Sequence, residues 1–244
     1  MRTIAPTSVT GDTLRSLYRT LHLEQDASLQ YLGTNTDQLN DFHWTSGKTW
    51  ITTILSRARS WPLQVDIPAV DASRTAYVLT RMTGYQGTAS ITPNHRVAIE
   101  VEGAGERDSV TFDLGDHLLF SVDVPAAVLL EGRRTITMHS RPREDARSSV
   151  AFDWVDVDVP ALLVASGGRF VQSVVPGRDD GVAIFRINGF ASSDLLAFRV
   201  DGTSVALLDV AAIAGGNGTY DAIISDTLQA VRNYYVIERS AAID

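Results

Sequence analysis

The 244-residue chain contains no cysteine. That excludes thiolate nucleophiles, zinc–thiolate sites and disulfides together. At this length a core can bury enough surface without such staples. Histidine is scarce as well. The five residues His22, His43, His95, His117 and His139 stand one by one, and none has the i, i+2 or i, i+4 spacing of a metal-binding pair. A nucleophile elbow, a phosphate-binding glycine loop and a zinc-protease helix motif are all missing. Gly103-Ala104-Gly105 lacks a third glycine and reads as a turn between strands. No apolar run approaches the roughly 20 residues of a membrane-spanning helix. The opening Met1-Arg2-Thr3-Ile4-Ala5-Pro6 has no apolar signal-peptide core. Basic residues are outnumbered, with 21 Lys+Arg against 29 Asp+Glu and a formal charge of −8. The densest basic stretch, Arg133-Arg134 with Arg141 and Arg143, is broken by Glu144 and Asp145. Such a field repels phosphate backbones, so nucleic acid is not an expected partner. No cofactor is expected.

What is present is alternation. Val97, Ile99 and Val101 alternate with polar residues up to Gly103; Val110, Phe112 and Leu114 do so up to Gly115. Leu118, Phe120, Val122 and Val124 lead to Pro125, and Ile136 and Met138 repeat the pattern. A period of two gives each strand one buried and one wet face, and regular Gly and Pro punctuation predicts an all-β sandwich or barrel. Between Ser149 and Pro160 the apolar phase flips from Val150, Phe152 and Trp154 to Val155, Val157 and Val159. A bulge or bent strand would do this.

The turn-forming run Pro176 to Gly181 predicts a break between domains. Five further short strands follow, from Val182 to Ile237, joined by Gly189, Asp201-Gly202 and Gly215 to Gly218. The expected fold is therefore a jelly-roll-like β-sandwich over residues 61–175, with residues 1–60 packing on it, and a small Ig-like β-sandwich over 182–240. The core expected for the small sandwich is Ile184, Ile187, Phe190, Leu196, Phe198, Leu207, Tyr220 and Ile224. Near the start, Asp12 followed by Leu14, Leu17, Tyr18 and Leu21 has the spacing of a short capped helix.

Candidate chemistry is sparse. Asp116-His117 invites an acid–base reading, but it sits at a strand start after Gly115, and lone histidines are commonly structural. Asp153, Asp156 and Asp158 are acids close in sequence, but Asp153 and Asp156 have opposite parity and face apart in an unbroken strand. Asn217-Gly218-Thr219 matches a glycosylation sequon and reads as turn chemistry. Trp44, Trp50 and Trp61 cluster in the first quarter alongside Tyr31 and Phe42. Exposed on one face, these three tryptophans would stack on sugar rings; buried, they would close one end of the sandwich. Both readings stand at this point.

Several stretches in order resemble the region upstream of the peptidase domain in gingipain-like cysteine peptidases. They are Leu21 to Asp26 followed by Asp41-Phe42-His43-Trp44; His95 to Gly103; Leu130-Glu131-Gly132 before Arg134 to Thr137; and Phe152 to Val159. Phe185 to Leu195 with Phe198-Arg199-Val200, then Arg232 to Val236, complete the series. Arg199 stands where the family usually has Asp. The resemblance implies two β-sandwiches, an extended rather than helical start, and a secreted or cell-surface setting. It implies as partner a covalently linked or associated peptidase domain, with cell-surface glycan as the partner on the sugar-binding alternative. It carries no catalytic residue onto this chain. The expected role is a non-catalytic accessory region that positions or targets a catalytic domain; a carbohydrate- or surface-binding module is the alternative.

Overall fold

The computed structural model describes residues 13–24, 51–88, 90–142, 147–175, 177–179, 181–228 and 232–242. The expected sites Trp44 and Trp50, and the motif Asp41 to Trp44, lie outside the described residues. The chain enters as β1 (Thr13–Leu14) and β2 (Ser16–Leu23). This corrects the helix expected from the Leu14, Leu17, Tyr18 and Leu21 spacing. The reason is tertiary. β1 pairs in parallel with a strand some 170 residues on, Thr13 opposite Ile184. The Tyr18 N–H donates to Asp179 Oδ2 at 2.6 Å, and its carbonyl accepts from Gln172 Nε2 at 2.9 Å. Distant partners thus take up backbone groups that a short, marginal helix would have to satisfy alone.

The chain divides into two compact units, residues 20–67 with 72–158, and residues 1–19 with 68–71 and 159–244. The first unit holds β3 (Thr53–Ser56), β4 (Ser60–Ile67), β5 (Thr75–Gly87), β6 (His95–Val101), β7 (Gly105–Phe112), β8 (His117–Pro125), β9 (Gly132–Ser140) and most of β10 (Ser148–Leu162). One of its sheets has the order β2-β10-β5-β8 with β3 also pairing along β10; the other has the order β4-β9-β6-β7. From β3 to β10 this is the eight-strand jelly-roll order expected. Most of the alternating residues do what their period dictates: Val97, Ile99, Val101, Phe112, Val122, Val124, Ile136 and Met138 are buried, whereas Val110, Leu118 and Phe120 are half-buried and Leu114, beyond the end of β7, is exposed. The register of β10 against β5 shifts between Phe152 and Trp154, which places the irregularity of the phase-flipping strand at Asp153.

The second unit is the small Ig-like sandwich. It contains β11 (Arg169–Ser173), β12 (Gly181–Phe190), β13 (Leu195–Asp201), β14 (Ser204–Leu208), β15 (Ala211–Ala214), β16 (Tyr220–Leu228) and β17 (Arg232–Glu238). Its sheets have the orders β1-β12-β16-β15 and β11-β17-β13-β14. In the first sheet β12, β16 and β15 are antiparallel, and β1 adds to the edge of β12 in parallel. Residues 13–19 and 159–175, which the expected boundaries place with the larger sandwich, belong to this unit. They supply Leu17, Leu163, Phe170 and Val174 to its core. The expected core is corrected in part. Ile187, Phe190 and Ile224 are in it and Tyr220 packs against it, but Leu195, Ala197 and Leu208 fill the places expected for Leu196, Phe198 and Leu207. Ile184 is also only half-buried.

Candidate functional site

The phase of β13 is set by an arginine. Arg199 shares parity with the buried Ala197, so its side chain turns toward the opposing sheet of its own sandwich. There its Nη1 donates to both oxygens of Asp226 on β16, at 2.9 and 2.8 Å. The Tyr234 hydroxyl donates to the same carboxylate at 2.8 Å. Arg199 Nε lies 3.0 Å from Asp201 without the alignment of a hydrogen bond. Asp201 also holds Arg232 at 3.0 Å. The hydrogen bond to Asp226 raises the Arg199 pKa above its usual value. Burial first, and then the Asp226 charge, push the Tyr234 phenol well above its own.

With Leu195, Ala197 and Arg199 turned inward, Leu196, Phe198 and Val200 face out. The neighbouring strands carry the consequence across the sheet. Val171, Tyr235, Phe198 and Leu207 are register partners in a continuous row over β11, β17, β13 and β14. Ile237 lies opposite Leu196, and Val205 opposite Val200. Eight apolar residues therefore occupy the outer face of one four-stranded sheet. Val171 is 57% exposed and Val205 62%; the other six are half-buried. Water at such a face is displaced favourably by an apolar partner, at roughly 25 cal/mol per Å². This face is the candidate site. Sequence reasoning missed it by assigning the largest apolar residues to the core. The signal was there in the near-continuous Leu195-Leu196-Ala197-Phe198, a strand apolar on both sides.

The residues singled out from sequence are dispersed. Trp61 shares the parity of the buried Leu63, Val65 and Ile67 on β4, is half-buried, and has its ring 5.6 Å from that of Phe152. Asp116 accepts the Asp113 N–H at 2.8 Å, while His117 Nδ1 lies 2.9 Å from Thr83 Oγ1. Asp156 meets His22 at 2.5 Å, Asp158 accepts from Thr20 at 2.6 Å, and Asp153 is 3.8 Å from Arg81. Each of the three acids thus has its own partner. Among the described residues no group of three His, Asp or Glu side chains is arranged to hold a metal ion. Asn217 adopts a left-handed φ of 56° in an exposed turn.

No family model matches this chain, and no curated protein matches it. Among solved structures it is similar to dimeric latent PorU from Porphyromonas gingivalis, with a TM-score of 0.65 and 10% identity over 96% of this chain. The match takes in 21% of the PorU chain, so this chain spans about a fifth of that protein. A likeness to the C-terminal CBM6 of LamC from Zobellia galactanivorans has a TM-score of 0.32 at 9% identity, over 57% of this chain and 98% of that one. One to the tandem CBM22 of Xyn10C from Paenibacillus barcinonensis has a TM-score of 0.28 at 8% identity, over 77% of this chain and 92% of that one. Neither is strong enough to carry an argument. In fold, the chain is similar to a β-sandwich region of PorU.

Proposed function

We propose that this chain is a non-catalytic accessory region of a gingipain-like peptidase, secreted or at the cell surface, and that it docks the catalytic domain on the outer face of β11-β17-β13-β14. The apolar face carries this reading. The face leaves Val171 and Val205 in water beside six half-buried apolar neighbours in register, a surface that a partner domain would cover. The ordered sequence motifs and the PorU-like fold, which accounts for a fifth of a longer chain, support the choice of partner. The rival, in which Trp44, Trp50 and Trp61 stack on sugar, loses support from Trp61, which lies on the core side of its strand against Phe152. The test is titration calorimetry of the chain against a gingipain-like peptidase domain. Val171→Asp with Val205→Asp should weaken binding by roughly tenfold or more, since each places a charge in an apolar contact, and should leave thermal stability nearly unchanged. Absence of binding by the unaltered chain, or binding indifferent to both substitutions, would refute the reading. The isolated chain is expected to hydrolyse no member of a broad peptide and ester panel, because its sequence offers no Cys and no Ser–His motif.

A further inference from the structure

A cleft of about 360 Å³ opens beside the other sheet of the small sandwich, lined by Arg15, Arg186, Asn188, Gly189, Gly216, Thr219 and Asp221. It forms because β12 bulges. The register against β16 shifts between Ile187 and Phe190, and Gly189 takes a φ of +94° there. Asp221 is only 4% exposed and closes the floor. It accepts from Arg186 Nε at 2.9 Å and Nη2 at 2.7 Å. The Asn188 amide, with its nitrogen turned to this carboxylate, donates to both oxygens at 3.2 Å. Gly215 leaves the room that Asp221 needs, since a Cβ there would lie 2.7 Å from Oδ1. The floor therefore fixes one face of the Arg186 guanidinium and leaves its Nη1 uncommitted. Arg15 is exposed at the wall, and its side chain has no ion-pair or hydrogen-bond partner among the described residues.

We propose that this cleft binds the carboxylate of an acidic sugar. Two arginines against one aspartate leave a single net positive charge in a chain whose total is −8. One positive charge matches a monoanion, whereas a phosphate dianion would leave excess charge over Asp221. The Arg15 guanidinium offers a planar fork that suits a carboxylate, and Arg186 adds the single donor Nη1 that Asp221 does not engage. The volume, room for about a dozen waters, exceeds what a bare ion fills and lies at the small end of ligand pockets. No aliphatic or aromatic side chain lines it, so the body that carries the carboxylate must itself be polar, as a hydroxyl-bearing ring is and most peptide termini are not. The site is on a different sheet from the apolar face and stands or falls independently of the docking reading.

The probe is methyl galacturonoside, a sugar with a single carboxylate, titrated into the ¹⁵N-labelled 244-residue chain and followed by amide shifts. Saturable shifts should centre on Gly189, Gly216 and Thr219, and the neutral methyl galactoside should cause none. Arg15→Ala should weaken binding roughly tenfold, the worth of one charge-assisted pair. Gly216→Tyr should abolish it, since Gly216 lines the cleft and a Cβ there meets nothing within 4 Å, so a ring can be added at the wall without a clash. Both variants should melt at the temperature of the parent. Absence of saturable shifts would overturn the proposal. Binding that survives Gly216→Tyr, or equal binding of a short neutral peptide with a free C-terminal carboxylate, would do the same.

Discussion

His22 and His95 respond to pH in opposite directions, although both lie on strands of the jelly-roll unit. Burial lowers the pKa of His22, but hydrogen bonds and charge from Glu24 and Asp156 outweigh it, so the net value is raised above the ordinary 6.5. Its contribution to stability is complete below the unfolded-state value and is lost as pH rises through the higher folded value. His95 is 1% exposed, with Nδ1 2.8 Å from Ser148 Oγ and Nε2 unpartnered among the described residues. Burial lowers its pKa, against opposing charge from Asp113 and Asp116. Here stability is complete above 6.5 and falls as acid forces a proton onto a buried ring. Histidine C–H titration by NMR should place the His22 midpoint above 6.5 and that of His95 below it; the reverse order would refute both assignments. Asp226 is the residue whose loss should cost most. Its carboxylate serves Arg199 and Tyr234 with only 13% of the side chain exposed. Asp226→Ala removes the acceptor of two Arg199 hydrogen bonds and of the Tyr234 hydroxyl and leaves Asp201 to balance the guanidinium, so urea denaturation should register a loss of about 2–3 kcal/mol.

At the scale of elements, period and punctuation made most strands of the jelly roll legible, because Val97 to Val101 or Ile136 to Met138 obey a single rule, one face in and one out. β2 and β13 were not legible in the same way. In β2, Ser16, Leu17 and Tyr18 are buried in succession because the strand is covered on both sides. Covered strands lose the alternation, and what remains imitates a helix. In β13 the phase depends on Asp226, 27 residues away from Arg199 and on another sheet, which no local window contains. Of the site, the sequence displayed the residues but not the face; two of the three tryptophans it singled out, Trp44 and Trp50, lie outside the described residues. Glycines can likewise be sorted only in the structure. Gly84 and Gly216 look alike in sequence, but a Cβ at Gly84 would lie 2.5 Å from the Asp113 carbonyl and 2.8 Å from the His95 ring. Gly84→Ala should therefore cost about 1–3 kcal/mol, while Gly216→Ala should be nearly neutral. Thermal melts of the pair decide it.

For the whole molecule, the turn at Pro176 to Gly181 looks like a seam, but the chain does not divide there. The small sandwich draws on three separate segments of sequence. Residues 182–240 alone lack β1, which pairs with β12, and β11, which pairs with β17. They also lack Leu17, Leu163, Phe170 and Val174 from the core. The turn itself is tied down, since Asp179 is buried and accepts the Tyr18 N–H, and the Arg178 guanidinium sits 5.9 Å over the Tyr18 ring. Small sandwiches have little stability to spare. Removing four core side chains, each worth roughly 1.5–3 kcal/mol when buried, should exceed what a unit of this size has in reserve. A fragment of residues 182–244 should therefore be unfolded by circular dichroism and amide-shift dispersion. Extending it to 159–244 restores β11, Leu163, Phe170 and Val174, and should recover partial structure. Supplying residues 13–19 as well, through a short linker ahead of residue 159, should restore cooperative unfolding. If the 182–244 fragment folds cooperatively by itself, then the seam is real and the interleaved segments are dispensable.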